Sequence, residues 1–288
     1  MSTFPIHTLS KNEFPKQLLE IPKPPEVLTY RGALPPDTAK CLAVVGSRNY
    51  TNYGKQALEY LIRSLRGHNI AIISGLALGI DSLAHKAALD AELYTLAVPG
   101  SGIDDSVIYP RRHKGLAYEI LGAGGGLLSE FEPTFKATTW SFPQRNRIMA
   151  GLADAVLVVE ATQKSGTLIT ARLATDYNRD VLTIPGDIFS ASSEGPHMLI
   201  KLGATPVTTP EDILEALHID TEPTTAPLPI DDLPQEEASI LALLSAPTER
   251  DTLVRAANMD TQTCTTTLTM MEIKGLISID GNVVRRLR

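Results

Sequence analysis

The stretch KCLAVVGSRNYTNYGKQALEYLIRSLRGHNIAIISG (40–75) decides the fold class. LAVV (42–45) and IAII (70–73) are continuous apolar runs, as expected of strands buried on both faces. Between them, GKQALEYLIRSLR (54–66) spaces its apolar residues with helical period. A strand, a helix and a second such strand form a right-handed crossover, which makes the two strands parallel. Further out, the same kind of run recurs at TLAV (95–98), VLVV (156–159) and VLTI (181–184), with GTLITARLATDYN (166–178) as another helix. The expected fold is α/β: a mostly parallel sheet with helices on both faces.

The flanks differ in composition. Residues 1–25 are polar and close on Pro22, Pro24 and Pro25, with room for a short helix and not for a helical domain. The α/β domain is assigned to 26–218, ending after EDILEAL (211–217), and the proline- and threonine-rich stretch at 219–234 is assigned as a linker. In 235–288, three helices are expected at 236–245, 250–259 and 261–275. LISIDGNVVRRL (276–287) then reads as two strands around an Asp280–Gly281 turn. Three helices and a hairpin make a small C-terminal winged-helix-like domain.

The 288 residues hold 26 basic and 33 acidic side chains, a net charge of −7. That excludes a surface that attracts polyanions everywhere. Residues 219–288 contribute 6 basic and 11 acidic residues, so the α/β part is near balance and can gather cations at one edge. Cys41 and Cys264 match no metal-ligand spacing and read as free thiols in a reducing compartment. No signal-peptide pattern opens the chain, and no apolar run approaches the ~18–20 residues of a membrane helix. A cytoplasmic protein without membrane contact, metal or cofactor is expected.

In an open parallel sheet, ligands bind outside the C-terminal ends of the strands. The five expected strands are followed by Gly46-Ser47-Arg48, by Ser74-Gly75 with Gly79, by Pro99-Gly100-Ser101-Gly102, by Glu160 with Lys164-Ser165-Gly166-Thr167, and by Pro185-Gly186-Asp187. Glycine admits close approach of a ligand to the backbone, and a helix start offers N–H groups to an anion. Lys164 adds charge there, with Ser165 as the expected N-cap. The competing explanation is that these glycines only make tight turns. The P-loop pattern fails, because seven residues rather than four separate Gly46 from Gly54-Lys55 and Gln56 follows; the dinucleotide fingerprint fails at Leu127.

The segment Trp140-Ser141-Phe142-Pro143-Gln144-Arg145-Asn146-Arg147 joins aromatics to arginines. Arginine forks onto phosphates and aromatic faces stack on unpaired bases. Alternatively the aromatics are core anchors, and the arginines pair with carboxylates such as Glu130 or Glu160. Asp81 and His85 share a helix face and, with no nucleophile or metal cluster beside them, read as a helix cap and a packed histidine. Asp104 and Asp105 read as turn residues.

Taken in order, GSR (46–48), SGLALGID (74–81) with His85, YP (109–110), LLSE (127–130), FPQRNR (142–147), EATQKSGTLITA (160–171), IPGD (184–187) and GPHMLIKLGA (195–204) closely resemble the DprA/Smf family. The resemblance covers roughly residues 27–217. It implies an extended Rossmann-type fold for 26–218 and a non-catalytic single-stranded DNA-binding protein, dimeric through that Rossmann domain. Such a protein protects incoming strands and helps load the recombinase RecA in natural transformation. Carried onto matching positions, the DNA contacts are Ser47, Arg48, Phe142, Arg145, Asn146, Arg147, Lys164, Ser165 and Gly166. The C-terminal domain resembles the winged helix of many members, although the cation of its third helix is Lys274 alone. Contact with protein is expected there, or with DNA through Arg285, Arg286 and Arg288.

A rival class is a Rossmann-type nucleotide hydrolase of the phosphoribohydrolase kind, whose PGGxGTxxE-type signature is approached only by GSGIDD (100–105), without the glutamate. A third class is a small-nucleotide sensor with the winged helix as its output.

Overall fold

The computed structural model describes residues 4–219, 234–244, 246–257, 259–273 and 276–286. The chain divides into two compact units, Met1–Asp220 and Thr221–Arg288. The interior of the assigned linker, residues 220–233, lies outside the described residues, as do Lys274 and Arg288.

The first unit is built on a nine-stranded sheet in the order β1-β2-β6-β5-β4-β3-β7-β8-β9. Its strands are β1 (Ile6–Leu9), β2 (Leu28–Gly32), β3 (Lys40–Val45), β4 (Ile70–Ser74), β5 (Tyr94–Ala97), β6 (Gly126–Ser129), β7 (Ala155–Val158), β8 (Asp180–Thr183) and β9 (Thr205–Pro206). From β6 to β9 every pairing is parallel. All five expected runs are strands of this part. β1 and β2 add an antiparallel edge against β6. The polar N-terminal segment therefore supplies a strand as well as its short helix α1 (Lys16–Leu19). Ile6 to Leu9 carries apolar residues only at its two ends, which is neither alternation nor an apolar run.

Helices α2 (Asn52–Ser64), α3 (Ile80–Asp90), α4 (Lys114–Gly122), α5 (Ser141–Leu152), α6 (Thr167–Asp176), α7 (Glu194–Lys201) and α8 (Pro210–Ala216) complete this unit. Strand β3 shows why its sequence is apolar throughout. Cys41, Ala43 and Val45 join one core with residues of α1, α5 and α6, while Leu42 and Val44 join the opposite core with α2, α3 and α8. Side chains alternate across a strand, so burial on both faces needs an unbroken apolar run. After β3 the chain adds β4, β5 and β6 on one side and then returns to lay β7 on the other. This reversal between β3 and β7 opens a crevice at their C-terminal ends.

The second unit contains α9 (Gln235–Leu243), β10 (Thr248–Glu249), α10 (Arg250–Ala256), α11 (Thr261–Ile273), β11 (Ile277–Asp280) and β12 (Val283–Arg286). The strands pair antiparallel in the order β10-β12-β11, a winged-helix arrangement. Ile240, Leu253, Leu268, Met271 and Val284 are among its core residues. The threonines of α11 are compatible with a helix because Thr266, Thr267 and Thr269 return their hydroxyls to carbonyls four residues back. The hairpin turn falls on Gly281 and Asn282, one residue later than expected, with Gly281 at φ +59°.

Candidate functional site

The crevice between β3 and β7 is a cleft of about 640 Å³. It is lined by Gly46–Asn49 after β3, Ala77 after β4 with Asp81 in the first turn of α3, Thr162 with Ser165–Thr167 after β7, Thr139 before α5 and Ser192 before α7. The N-terminal half of α5 forms a further wall. The glycine pattern has a steric basis here. A Cβ on Gly46 would lie 2.6 Å from Ile80, and Gly79, at φ +84°, lets the start of α3 settle on the Ser47 carbonyl. Ile80 N–H donates to that carbonyl at 3.1 Å.

Gly100, after β5, supports the site from beneath: a Cβ there would meet the Phe142 ring at 2.5 Å. The β8 loop reaches the cleft at Ser192, but its Pro185-Gly186 turn is engaged elsewhere. Pro185 accepts from the Tyr53 hydroxyl at 2.5 Å, and Gly186 O lies 3.0 Å from His197 Nε2. Glu160 is also occupied, accepting from Thr51 N–H and Oγ–H at 2.9 and 2.5 Å, which fixes the start of α2. It pairs with no arginine among the described residues.

Exposed Arg48 places its guanidinium carbon 5.5 Å from the centroid of the half-buried Phe142 ring. It forms no ion pair among the described residues. Tyr109, about half exposed, tilts its ring against Phe142 at 5.7 Å between centroids. Cation, ring and second ring make a ledge beside the start of α6. Ser47 folds its hydroxyl back, donating to Asn49 O at 2.7 Å and accepting from Asn49 N–H at 3.1 Å. Ser165 Oγ accepts from Thr167 N–H at 3.2 Å, with Gly166 rather than Ser165 in the N-cap position. Lys164 is exposed in the turn just before it and does not line the cleft.

The two arginines of FPQRNR go separate ways. Residues two apart on a helix face opposite directions, since each step turns about 100°. Phe142, Arg145, Asn146 and Met149 face the cleft. Gln144 and Arg147 instead both reach Glu130, and Arg147 Nη1 donates to Lys23 O at 2.6 Å. Arg147, expected among the DNA contacts, is thus outside the cleft and holds α5 to its neighbours.

Arg145 lies at the cleft floor, 5% exposed. Its Nη1 donates to Gly75 O at 2.6 Å and also to Val98 O, joining the ends of β4 and β5. A side chain on Gly75 would occupy the guanidinium's place. Burial pushes Arg145 down to about 10, with Asp81 opposing the shift. Burial also raises the Asp81 carboxyl, which accepts from Gly75 N–H at 3.1 Å rather than capping α3. His85 is packed as expected, with Nδ1 2.7 Å from Thr95 Oγ1. Asp104 makes a turn with Ser106, whereas Asp105 pairs with Arg31 at 2.7 Å. Tyr109 is visible in the sequence only as part of the YP (109–110) motif. Nothing in the spacing of Tyr109 relative to Phe142 reveals that the two rings meet.

The family described as DNA recombination-mediator protein A matches residues 5–218, and the DprA winged helix domain matches 222–280. Protein Smf of Escherichia coli is 46% identical over 205 residues, covering 71% of this chain and 54% of that protein; the chain thus spans about half of that relative's length. DNA processing protein DprA of Bacillus subtilis is 38% identical over 218 residues, 75% of this chain and 71% of that one. The solved structure of DNA processing protein A from Streptococcus pneumoniae superposes with a TM-score of 0.68 at 40% identity, covering 74% of each chain. That of the Helicobacter pylori protein, described for its single-stranded DNA binding mode, gives 0.67 at 32% identity, covering 75% of this chain and 97% of that one.

Proposed function

We propose that this chain, which belongs to the DNA recombination-mediator protein A (DprA/Smf) family, holds single-stranded DNA in the cleft between β3 and β7, protects it, and passes it to the recombinase RecA in natural transformation. The observation that carries this reading is Arg48 over Phe142 beside the start of α6. A phosphate takes the guanidinium and the free N–H groups of a helix start, while a base lies against the aromatic ledge. Duplex DNA offers no unstacked base to such a ledge.

The site residues then divide by role. Arg48 and Phe142 make direct contact, and Lys164 adds charge at the approach. Ser47, Ser165 and Gly166 shape the backbone around a phosphate. Asn146 Oδ1 accepts from Arg145 Nε at 3.1 Å, leaving its amide N–H groups as donors for the strand. Arg145 sets the floor and Arg147 anchors α5. These are binding roles, and the reading assigns no catalytic turnover.

A second copy fits the exposed apolar side chains of this unit. Phe189 and Ile188 are 92% and 77% exposed, in the loop that His197 ties to α7. The winged-helix unit is assigned to contact with protein, or with DNA through Arg285, Arg286 and Arg288. The test is a competition between single-stranded, duplex and mononucleotide ligands for the purified chain at two salt concentrations. Preference for the single strand is expected, and equal or better binding of the mononucleotide would overturn the reading.

A further inference from the structure

The ledge continues past Phe142. A shallow hollow lined by Arg48, Tyr109 and Phe142 borders the main cleft. On the other side of Tyr109 lies a second cleft of about 610 Å³, whose lining includes Arg111, Lys114 and Lys136. Arg111 and Lys136 are exposed and form no ion pair among the described residues. Lys114 Nζ donates to the Asp105 carbonyl at 3.0 Å. Asp105 is the acidic residue of this lining, and its carboxylate is already engaged. One oxygen accepts from Arg31 at 2.7 Å and the other from the Tyr118 hydroxyl at 2.5 Å. Although burial opposes them, these bonds hold Asp105 below the usual carboxylate range. The second cleft thus presents three cations against one neutralised acid.

A ligand that spans both clefts must carry anions repeatedly along its length and offer flat apolar faces between them. A single-stranded phosphodiester chain has that chemistry. We propose that Arg111, Lys114 and Lys136 form a second phosphate-holding subsite, and that one DNA strand runs from the start of α6, over Phe142 and Tyr109, into it. The inference rests on the reading of the main cleft as a single-strand site and extends its footprint.

The experiment measures anisotropy of labelled oligothymidylates of about four and about twenty nucleotides, lengths within and beyond a single compact site. It compares the full chain, the R111A/K136A double variant, an R48A variant and an R63A/R66A control, each across a salt series. Arg63 lies on α2 and Arg66 just past its end, paired with Asp90 and Glu92, and they account for the same change in net charge. Two lost phosphate contacts are expected to weaken the long ligand about tenfold or more. Its slope of log affinity against log salt is expected to become shallower by about 1.4, with the short ligand and the control little changed. If R111A/K136A weakens the long ligand no more than the short one, the second subsite is wrong and the main cleft stands. If R48A binds both lengths as the unaltered chain does, the main cleft reading falls and the continuous path with it.

Discussion

Arg145 Nη1 donates to the Gly75 carbonyl at 2.6 Å, fastening α5 to the end of β4. The same nitrogen serves the Val98 carbonyl at the end of β5. Arg145→Ala would strand both carbonyls in a buried place, at about 1–3 kcal/mol each. A loss of at least about 2 kcal/mol is expected in denaturant unfolding followed by Trp140, the sole tryptophan. Unchanged stability would remove Arg145 from the scaffold and return it to the list of contact residues.

Arg147→Ala should separate stability from binding. Glu130 has only 5% of its side chain exposed, and burial raises its carboxyl despite Arg147 and Gln144. Removing one partner of such a pair costs about 3–5 kcal/mol. The salt slope for single-stranded DNA should nevertheless stay as it was. A slope shallower by about 0.7, the mark of one lost phosphate contact, would place Arg147 on the strand after all.

These two arginines also show how far the sequence could be read. FPQRNR is visible as a cluster, but only its placement on α5 sends Arg145 to the cleft and Arg147 to Glu130. The parallel sheet was legible because β3, β4, β5, β7 and β8 are apolar without interruption. β1 and β2 were not, since an antiparallel edge strand needs only a few apolar residues and β2 buries Arg31 in mid-strand. Tyr109 and Arg111 were missed because their approach to Phe142 and Lys136 is made by the tertiary fold, across more than twenty residues of chain.

Acid should destabilise the first unit through His85. Burial, with His113 and Arg145 near, pushes this imidazole down to about 3. Below about 6.5 the unfolded chain takes up a proton that the folded one refuses until about pH 3. Stability therefore falls as pH drops through that window, by up to about 1.4 kcal/mol per pH unit from this group. Unfolding free energies of the unaltered chain and of His85→Gln should converge as pH is lowered from 7 to 4. A constant difference would contradict the assignment.

Both cysteines should resist a thiol reagent in the folded protein. Cys41 and Cys264 are buried free thiols, and burial raises Cys41 to about 12. Thiolate is the reacting form, so modification should await denaturant. Fast stoichiometric labelling of Cys41 under native conditions would show that the edge of β3 opens.

The central claim is that Arg48 and Phe142 together hold one strand of DNA, a phosphate on the first and a base on the second. The direct measurement is the affinity of Arg48→Ala, Lys164→Ala and Phe142→Ala for a single-stranded oligonucleotide over a salt series. Arg48→Ala and Lys164→Ala should weaken binding and flatten the slope by about 0.7 each, and Phe142→Ala should cost about 1–3 kcal/mol with the slope preserved. Unchanged slopes for both cation variants, together with full affinity for Phe142→Ala, would contradict the account.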